Sequence, residues 1–207
     1  MSETLRRGLS NVYIAEVTVD DSGNYTVGDP EHLFPAGEMS RSVESDKTSV
    51  YFDNVVFYTA GSESGTTVSI TGADIRATKL ARILGKHIDA STGAIIDTGE
   101  YTEKYWALGG TAHKVDGTEE KFWMLKGSFS APELSDKTID DSTDTSGLTL
   151  EYTAIQTQHT FDVDGAKKHV KQVMIDTEST KLTTGQEWEK QVVTPENLGE
   201  IVTKVTA

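Results

Sequence analysis

Short alternations of apolar and polar residues, separated by turn-forming residues, run through most of the chain. Such alternation is typical of strands with one buried and one exposed face. Within residues 66–71, for example, Val68 and Ile70 alternate with residues that carry hydroxyl groups. The pattern predicts strands at residues 11–19, 25–27, 50–58, 66–71, 104–113, 119–129, 148–154, 157–163 and 168–176.

The run from Phe122 to Leu125 departs from this alternation because all its residues are apolar. A continuous apolar run predicts a strand that is covered on both faces, in the middle of a sandwich or barrel. The strands at 104–113 and 119–129 flank Asp116-Gly117, which is typical of a tight hairpin turn. A second turn of this kind follows at Asp164-Gly165.

One segment follows the helical period instead. It runs from about Asp74, which is a good N-cap, to Leu84, with Gly85 placed to end the helix. Its apolar face consists of Ala73, Ala77, Leu80, Ala81 and Leu84. Its opposite face is basic, with Lys79, Arg82 and Lys86 at the centre and Arg76 at the edge.

The many short strands and the one helix predict a mainly β fold, an antiparallel β-sandwich or barrel with one packed amphipathic helix. We expect a single domain over residues 1–207, with an N-terminal arm at about 1–10 and an extended loop at about 41–66. A polar, acidic loop is predicted at 135–147. The C-terminal segment 177–207 has Trp188 and Val192-Val193 as its strong apolar anchors.

The charge balance narrows the classes of partner. The chain has 19 Lys and Arg against 33 Asp and Glu, a net charge of −14. An acidic surface repels phosphate groups, so ordinary binding of DNA or RNA is disfavoured. The first ten residues lack the apolar stretch of a signal peptide, and no run reaches the length of a membrane helix. We therefore expect a protein that stays soluble in the cytoplasm until it assembles.

The motifs give no case for catalysis. Gly61 to Gly65 resembles a nucleophile elbow, but its centre is Glu63 and not serine. Phosphate-binding glycine loops are missing from the sequence, and the five histidines are isolated from one another. We predict that the protein is not an enzyme and has neither a cofactor nor a metal site.

The basic helix face is the strongest candidate for an interaction surface that the residues alone provide. It could contact an acidic patch on another copy of the chain, because a head-to-tail contact joins two different patches and complementary charge fixes its register. A solvated surface is the alternative interpretation of the same face.

Several segments follow one another in an order that carries a family resemblance. They are Gly8 to Ala15, Ser42 to Lys47, Tyr51 to Asn54, Ile83 to His87, Trp106 to Gly110 and Phe122 to Glu133. In this order they resemble the major tail proteins, or tail-tube proteins, of long-tailed non-contractile siphophages of Gram-positive bacteria. The resemblance runs from about Gly8 to Tyr152 and is clearest in the last two segments.

The resemblance implies β-sandwich subunits that form hexameric rings, in which neighbouring subunits complete a β-barrel around a channel. The rings stack on a tape-measure protein and meet tail terminator and distal tail proteins, and the genome passes through without specific binding. The resemblance places the protein in the tail tube of the virion after synthesis in the host cytoplasm, with no membrane association.

Individual residues receive predicted roles within such a tube. Thr67, Ser69 and Thr71 are the candidates to face the channel. The candidates for contacts between subunits are Arg41, Glu44, Asp46 and Glu63 in the extended loop, and Arg76, Lys79, Arg82 and Lys86 on the helix.

Two other functions share parts of this pattern. The tube of a contractile tail or of a tailocin-like injection system is also built from acidic, ring-forming β proteins. A carbohydrate- or surface-binding β-sandwich usually has a cluster of exposed aromatic residues. Here Trp106 and Trp123 fall inside predicted strands, and Trp188 is the tryptophan that we expect to be exposed.

Overall fold

The computed structural model describes residues 4–19, 23–52, 54–100, 102–134 and 147–205. Of residues 19, 46–48, 50–52, 56, 57 and 59–64 it describes the backbone. The elements in chain order are β1 (Arg6–Val19), β2 (Tyr25–Val27), β3 (Glu31–His32), β4 (Ala36–Phe52), β5 (Val55–Gly72), α1 (Ala77–Ile83), β6 (His87–Ile88), β7 (Ile95–Ile96), β8 (Tyr105–Lys114), β9 (Glu119–Phe129), β10 (Leu148–Ala154), β11 (Thr160–Val163), β12 (Ala166–His169), β13 (Gln172–Asp176), β14 (Thr180–Leu182), α2 (Leu198–Ile201) and β15 (Val202–Lys204).

Most strands belong to one antiparallel sheet. Its strand order is β2-β1-β8-β9-β10-β5-β4, with β3 paired to β1 and β13 paired to β9. The short pairs β6–β7, β11–β12 and β14–β15 lie outside it. The predicted fold class, mainly β and antiparallel with a packed helix, is confirmed.

The middle of the sheet is buried on both faces. Phe122 and Met124 of β9 point into one hydrophobic core, which they share with β1, β5, β8, β10 and α1. Trp123 and Leu125 point into a second core on the opposite face. The prediction that the run from Phe122 to Leu125 is covered on both sides is therefore confirmed.

The C-terminal segment supplies much of the cover over the second core. Trp188, Val192, Val193 and Ile201 are all buried there. The indole Nε1 of Trp123 donates a hydrogen bond to the carbonyl oxygen of Trp188 at 3.1 Å, and Trp188 Nε1 donates to the carbonyl oxygen of Phe122 at 3.4 Å. The expectation that Trp188 is exposed was wrong, because its ring closes the apolar outer face of β8 and β9.

The helix is shorter than predicted. It begins at Ala77 with Arg76 as N-cap, and Arg76 has an extended backbone. Residues 73–76 before it are not helical. The Ala73 amide donates to the carbonyl oxygen of Pro35, and the side chain of Asp74 accepts from the amide of Ile75. Ala73 and Ala77, predicted on the apolar face, are exposed. Gly85 has a positive φ just past the helix, as the predicted stop requires.

The predicted loop at 41–66 is instead the outer part of a long hairpin. Phe52 pairs with Val55, so the turn lies inside the strand that was predicted at 50–58. Asn54 at this turn has a positive φ, which asparagine tolerates better than most residues. The glycine-containing segment 61–65, which belongs to the predicted loop, is a continuous part of β5. Ser and Thr on both strands suit this pairing despite their polarity.

Two further boundaries differ from the predictions. The N-terminal arm joins the sheet from Arg6 onwards, because residues 6–10 pair with β8. The strand predicted at 168–176 divides into β12, which pairs with β11, and β13, which pairs with β9. Of the predicted acidic loop 135–147, residues 135–146 lie outside the described residues.

Replacing Gly109 by alanine should destabilise the fold. An added Cβ at Gly109 would lie 2.7 Å from the ring of Trp123, which is itself held by its hydrogen bond to Trp188. Overpacking of this kind costs about 1–3 kcal/mol. Thermal unfolding followed by circular dichroism should therefore give a lower Tm. The matched control is Gly199→Ala in α2, where an added Cβ meets nothing within 4 Å. Equal Tm values for the two variants would contradict this account of the core.

Candidate functional site

The outer face of β4, β5 and β10 carries mainly hydroxyl side chains. The cross-strand register aligns them in rows, such as Ser42 with Thr67 and Thr67 with Thr153. The residues of this surface, here called the hydroxyl face, are Glu38, Ser40, Ser42, Thr67, Ser69, Thr71, Thr149, Glu151 and Thr153. The hydroxyl oxygens of Thr71 and Thr149 lie 2.9 Å apart, which joins β5 to β10 across this face.

The electrostatics of the hydroxyl face are one-sided. Its charged groups are the carboxylates of Glu38 and Glu151, and it contains no lysine or arginine. Such a surface binds water but repels phosphate groups. Thr67 and Ser69 are half-buried and Thr71 is exposed, on the strand face opposite the buried Val68 and Ile70. That this face lines a channel stays a prediction.

The outer part of the β4–β5 hairpin runs beyond the neighbouring strand. β10 pairs with β5 at residues 66–72, and within the described chain residues 44–65 pair with one another alone. These residues are called the distal ribbon. Val55 and Tyr58 on the ribbon and Val43 at its base have exposed fractions of 66%, 62% and 48%. A two-stranded ribbon is marginally stable on its own and presents unpaired N–H and C=O groups along its edges.

The predicted contact residues of this region fall into different environments. Arg41 points into the body of the protein, where its side chain is 18% exposed. Glu44 is exposed at the start of the distal ribbon. The backbones of Asp46 and Glu63 pair with Ser62 and Ser45 in the ribbon, and their side chains lie outside the described residues.

Arg41 belongs to a charged cluster that sequence analysis missed. Arg41 and Arg6 each donate to one carboxylate oxygen of Glu120, at 2.6 Å and 2.7 Å. Burial raises the pKa of Glu120, but the hydrogen bonds and charges of Arg41 and Arg6 outweigh it and hold the pKa below its ordinary value. Stabilisation by this carboxylate is therefore present above its unfolded-state pKa and is lost as the pH falls through the lowered folded-state value. The sequence signal that could have indicated this cluster is an acidic residue, Glu120, just before the apolar run of β9. A carboxylate on a buried strand needs a charged or hydrogen-bonding partner.

The basic helix face is tied largely to its own chain. Lys79 Nζ donates to the carbonyl oxygens of His32 and Leu33 at 2.5 Å and 2.8 Å. Arg82 forms an ion pair with Glu31, and Lys86 forms one with Asp97. The contacts of Lys79 and Arg82 join α1 to the β3 region, and the ion pair of Lys86 joins the segment after α1 to the residue that follows β7. The predicted role in contacts between subunits is untested, but three of the four cations already have intramolecular partners.

Arg76 differs from the other basic residues of the helix. It is exposed at the N-cap, and within the described chain its side chain makes no hydrogen bond or ion pair. It therefore offers a charge on this face that can be changed without breaking an intramolecular contact.

The described residues contain no cluster of acidic and histidine side chains that could hold a metal ion. No helix in the described part of the chain is long and apolar enough to cross a membrane. The absence of an enzyme activity, a cofactor and a metal stays a prediction. No protein-family model matches the chain, and no curated protein matches it significantly.

Lys79→Glu should destabilise the monomer, whereas Arg76→Glu should not. Desolvation lowers the pKa of Lys79, the charge of Glu31 raises it, and the charge of Arg82 lowers it. Desolvation as the largest cause agrees with an ammonium group that is held against the protein. A carboxylate cannot donate to the carbonyl oxygens that Lys79 serves and would repel them. Loss of charge-assisted hydrogen bonds costs about 1.5–3 kcal/mol, and urea unfolding of both variants measures it. Equal stabilities would mean that the contacts of Lys79 contribute nothing.

Proposed function

We propose that this chain is the structural subunit of a phage tail tube, which self-assembles into stacked hexameric rings around an acidic channel for the genome. The observation that carries the proposal is the combination of an open-edged distal ribbon with the hydroxyl face beside it. The resemblance of the sequence to siphophage major tail proteins supports the same function.

Strand pairing between copies is the proposed mode of assembly. The outer edge of β4 in one copy would pair with the outer edge of β5 in the next copy, where β5 extends past β10. Such a head-to-tail contact joins two different edges, so it repeats from copy to copy and closes into a ring when the rotation allows. It also satisfies the backbone groups that the ribbon leaves open in the monomer.

The hydroxyl face is the proposed lining of the channel. Carboxylates and hydroxyls without a basic residue would let a polyanion pass without holding it. In this arrangement Thr67, Ser69 and Thr71 face the channel and meet the tape-measure protein before the genome. Tail terminator and distal tail proteins would bind the two ends of the tube. The virion is the proposed location, with the host cytoplasm before assembly.

The contacts of the basic helix favour a different division of roles from the one predicted from sequence. Because Lys79, Arg82 and Lys86 bind groups of their own chain, we assign the subunit contacts mainly to the hairpin edges. A carbohydrate-binding module loses its main supporting feature, since all three tryptophans are buried. A contractile-tail tube uses the same assembly geometry, and a sheath gene beside this gene would identify it.

Val43→Lys should block assembly while leaving the monomer folded. Val43 is 48% exposed at the base of the ribbon, and lysine on a strand edge opposes pairing with another strand. Negative-stain electron microscopy of the purified wild type should show hollow rings or tubes, and the variant should show neither. Ile96→Lys makes the same change at a 45% exposed position on β7 and should still assemble.

Two outcomes of this experiment would count against the proposal. A wild type that stays monomeric at every protein and salt concentration contradicts self-assembly and favours the binding-module alternative. If the wild type and Val43→Lys both form rings, the tube proposal stands, but the hairpin edge is not part of the contact between subunits.

Single cysteines can test which face lines the channel, because the chain has no cysteine of its own. Thr71→Cys lies on the hydroxyl face. Lys167→Cys lies on exposed β12, which forms a hairpin with β11 outside the central sheet. In tubes, Thr71→Cys should react with N-ethylmaleimide but not with a maleimide attached to a large polymer. Lys167→Cys should react with both reagents.

The two reagents separate the possible positions of the hydroxyl face. Full reactivity of Thr71→Cys with the large reagent would place this face on the outside of the tube. Protection from both reagents would place it in a contact between subunits.

A further inference from the structure

The edges of β1 and β4 face each other across an open seam. β4 pairs with β5 alone, and within the described residues β1 and β4 share no backbone hydrogen bond. The space between them is lined by Gly8 and Leu9 of β1 and by Gly37 and Met39 of β4. The seam therefore needs side chains to hold it closed.

Glu120 is the group on which both sides of the seam converge. Its carboxylate lies on β9, is 11% exposed, and accepts from Arg6 of β1 on one oxygen and from Arg41 of β4 on the other. Arg41 also lies over the ring of Phe122, with its guanidinium carbon 4.3 Å from the ring centroid. The ring itself has little freedom, because it packs against Gly110 so closely that an added Cβ would lie 2.8 Å from it.

The charge at position 120 determines whether Arg6 and Arg41 are attracted to a common partner or repel each other. With the carboxylate ionised, each guanidinium has an opposite charge at hydrogen-bond distance. Without that charge, two guanidinium groups that share one partner would face each other. The charge of Arg41, which is 18% exposed, is screened less than in water, whereas Arg6 is 57% exposed.

We infer that Glu120 is the positioning residue of the long hairpin: its charge holds the base of β4 against β1, and its neutralisation lets Arg6 and Arg41 drive the seam open. The hairpin, and with it the direction of the distal ribbon, would then swing relative to the central sheet.

The contacts of Glu120 with Arg6 and Arg41 are called the latch. Irregularities in the pairing of β4 show which segment the latch controls. The register with β5 shifts between Ala36 and Glu38 and again between Val43 and Ser45. Arg41 lies between these shifts, so Glu120 holds the regular stretch 38–43, and the distal ribbon begins at the second shift. The inference rests on the monomer alone, and its test does not depend on the proposed tube.

A distance between spin labels across the seam tests the inference in the monomer. The cysteine-free chain allows labels at Arg7→Cys on β1 and Ser40→Cys on β4, both at exposed positions. Pulsed electron paramagnetic resonance should give one narrow distance distribution in the otherwise unchanged protein. Adding Glu120→Gln should shift the distribution to longer distances and broaden it.

A matched control and a rescue variant separate the latch from general damage to the fold. Glu119→Gln neutralises the neighbouring carboxylate, which pairs with His113 and Lys121, and should leave the distance unchanged. Combining Glu120→Gln with Arg6→Gln removes one of the two repelling charges and should return the distance towards the original value. An unchanged distance in Glu120→Gln, or a double variant more open than Glu120→Gln, would overturn the inference.

Single arginine variants give an independent measurement if Glu120→Gln does not fold. Arg41→Gln removes the contact on β4 and should lengthen the distance. Arg6→Gln leaves Arg41 bound to Glu120 and should not lengthen it. Equal effects of the two substitutions, or no effect of Arg41→Gln, would also overturn the inference.

Discussion

Burial of β8 and β9 on both faces is the constraint on which the rest of the structure depends. β9 presents large apolar side chains to two sides, and β8 beside it is buried on both faces, with small residues such as Ala107 on the second face. A single covering layer would leave one side of this pair in water. The curved continuation of the sheet through β10 and β5 covers one side. The C-terminal segment covers the other and is held by the paired indole hydrogen bonds of Trp123 and Trp188. This requirement explains why β10 and β5 pack over one side of β8 and β9 and the C-terminal segment packs over the other.

Local patterns predicted the elements whose burial follows directly from the strand period. The run from Phe122 to Leu125 and the alternation through Val68 and Ile70 both occupy the strand faces that were predicted for them. The helix stop at Gly85 was equally local, because a positive φ after the last turn favours glycine.

Predictions failed where the outcome depended on distant partners. Trp188 stands in a mainly polar segment, so its burial follows from the unpaired face of β9 and not from its neighbours. The β4–β5 hairpin has polar residues along much of its length, and polarity alone resembles a loop. The start of α1 was misplaced because the amide of Ala73 bonds to Pro35, a distant residue in the sequence, and residues 73–76 stay outside the helix. The cluster around Glu120 joins residues 114 positions apart, a distance over which local patterns carry no information.

The same long-range contacts limit which groups could hold copies of this acidic chain together in the proposed tube. Several cations are engaged within the subunit, including Arg6, Arg41, Lys79, Arg82 and Lys86, so they contribute little free positive charge to the surface. Copies with a net charge of −14 repel one another beyond the screening length of the solution. Attraction must then come from contacts of short range, and the open strand edges of the hairpin are the described groups suited to supply it. Strand edges pair only when they are correctly aligned. In the proposed tube, the orientation of the hairpin, and hence the ion pairs at its base, would therefore limit which encounters between copies lead to a stable contact.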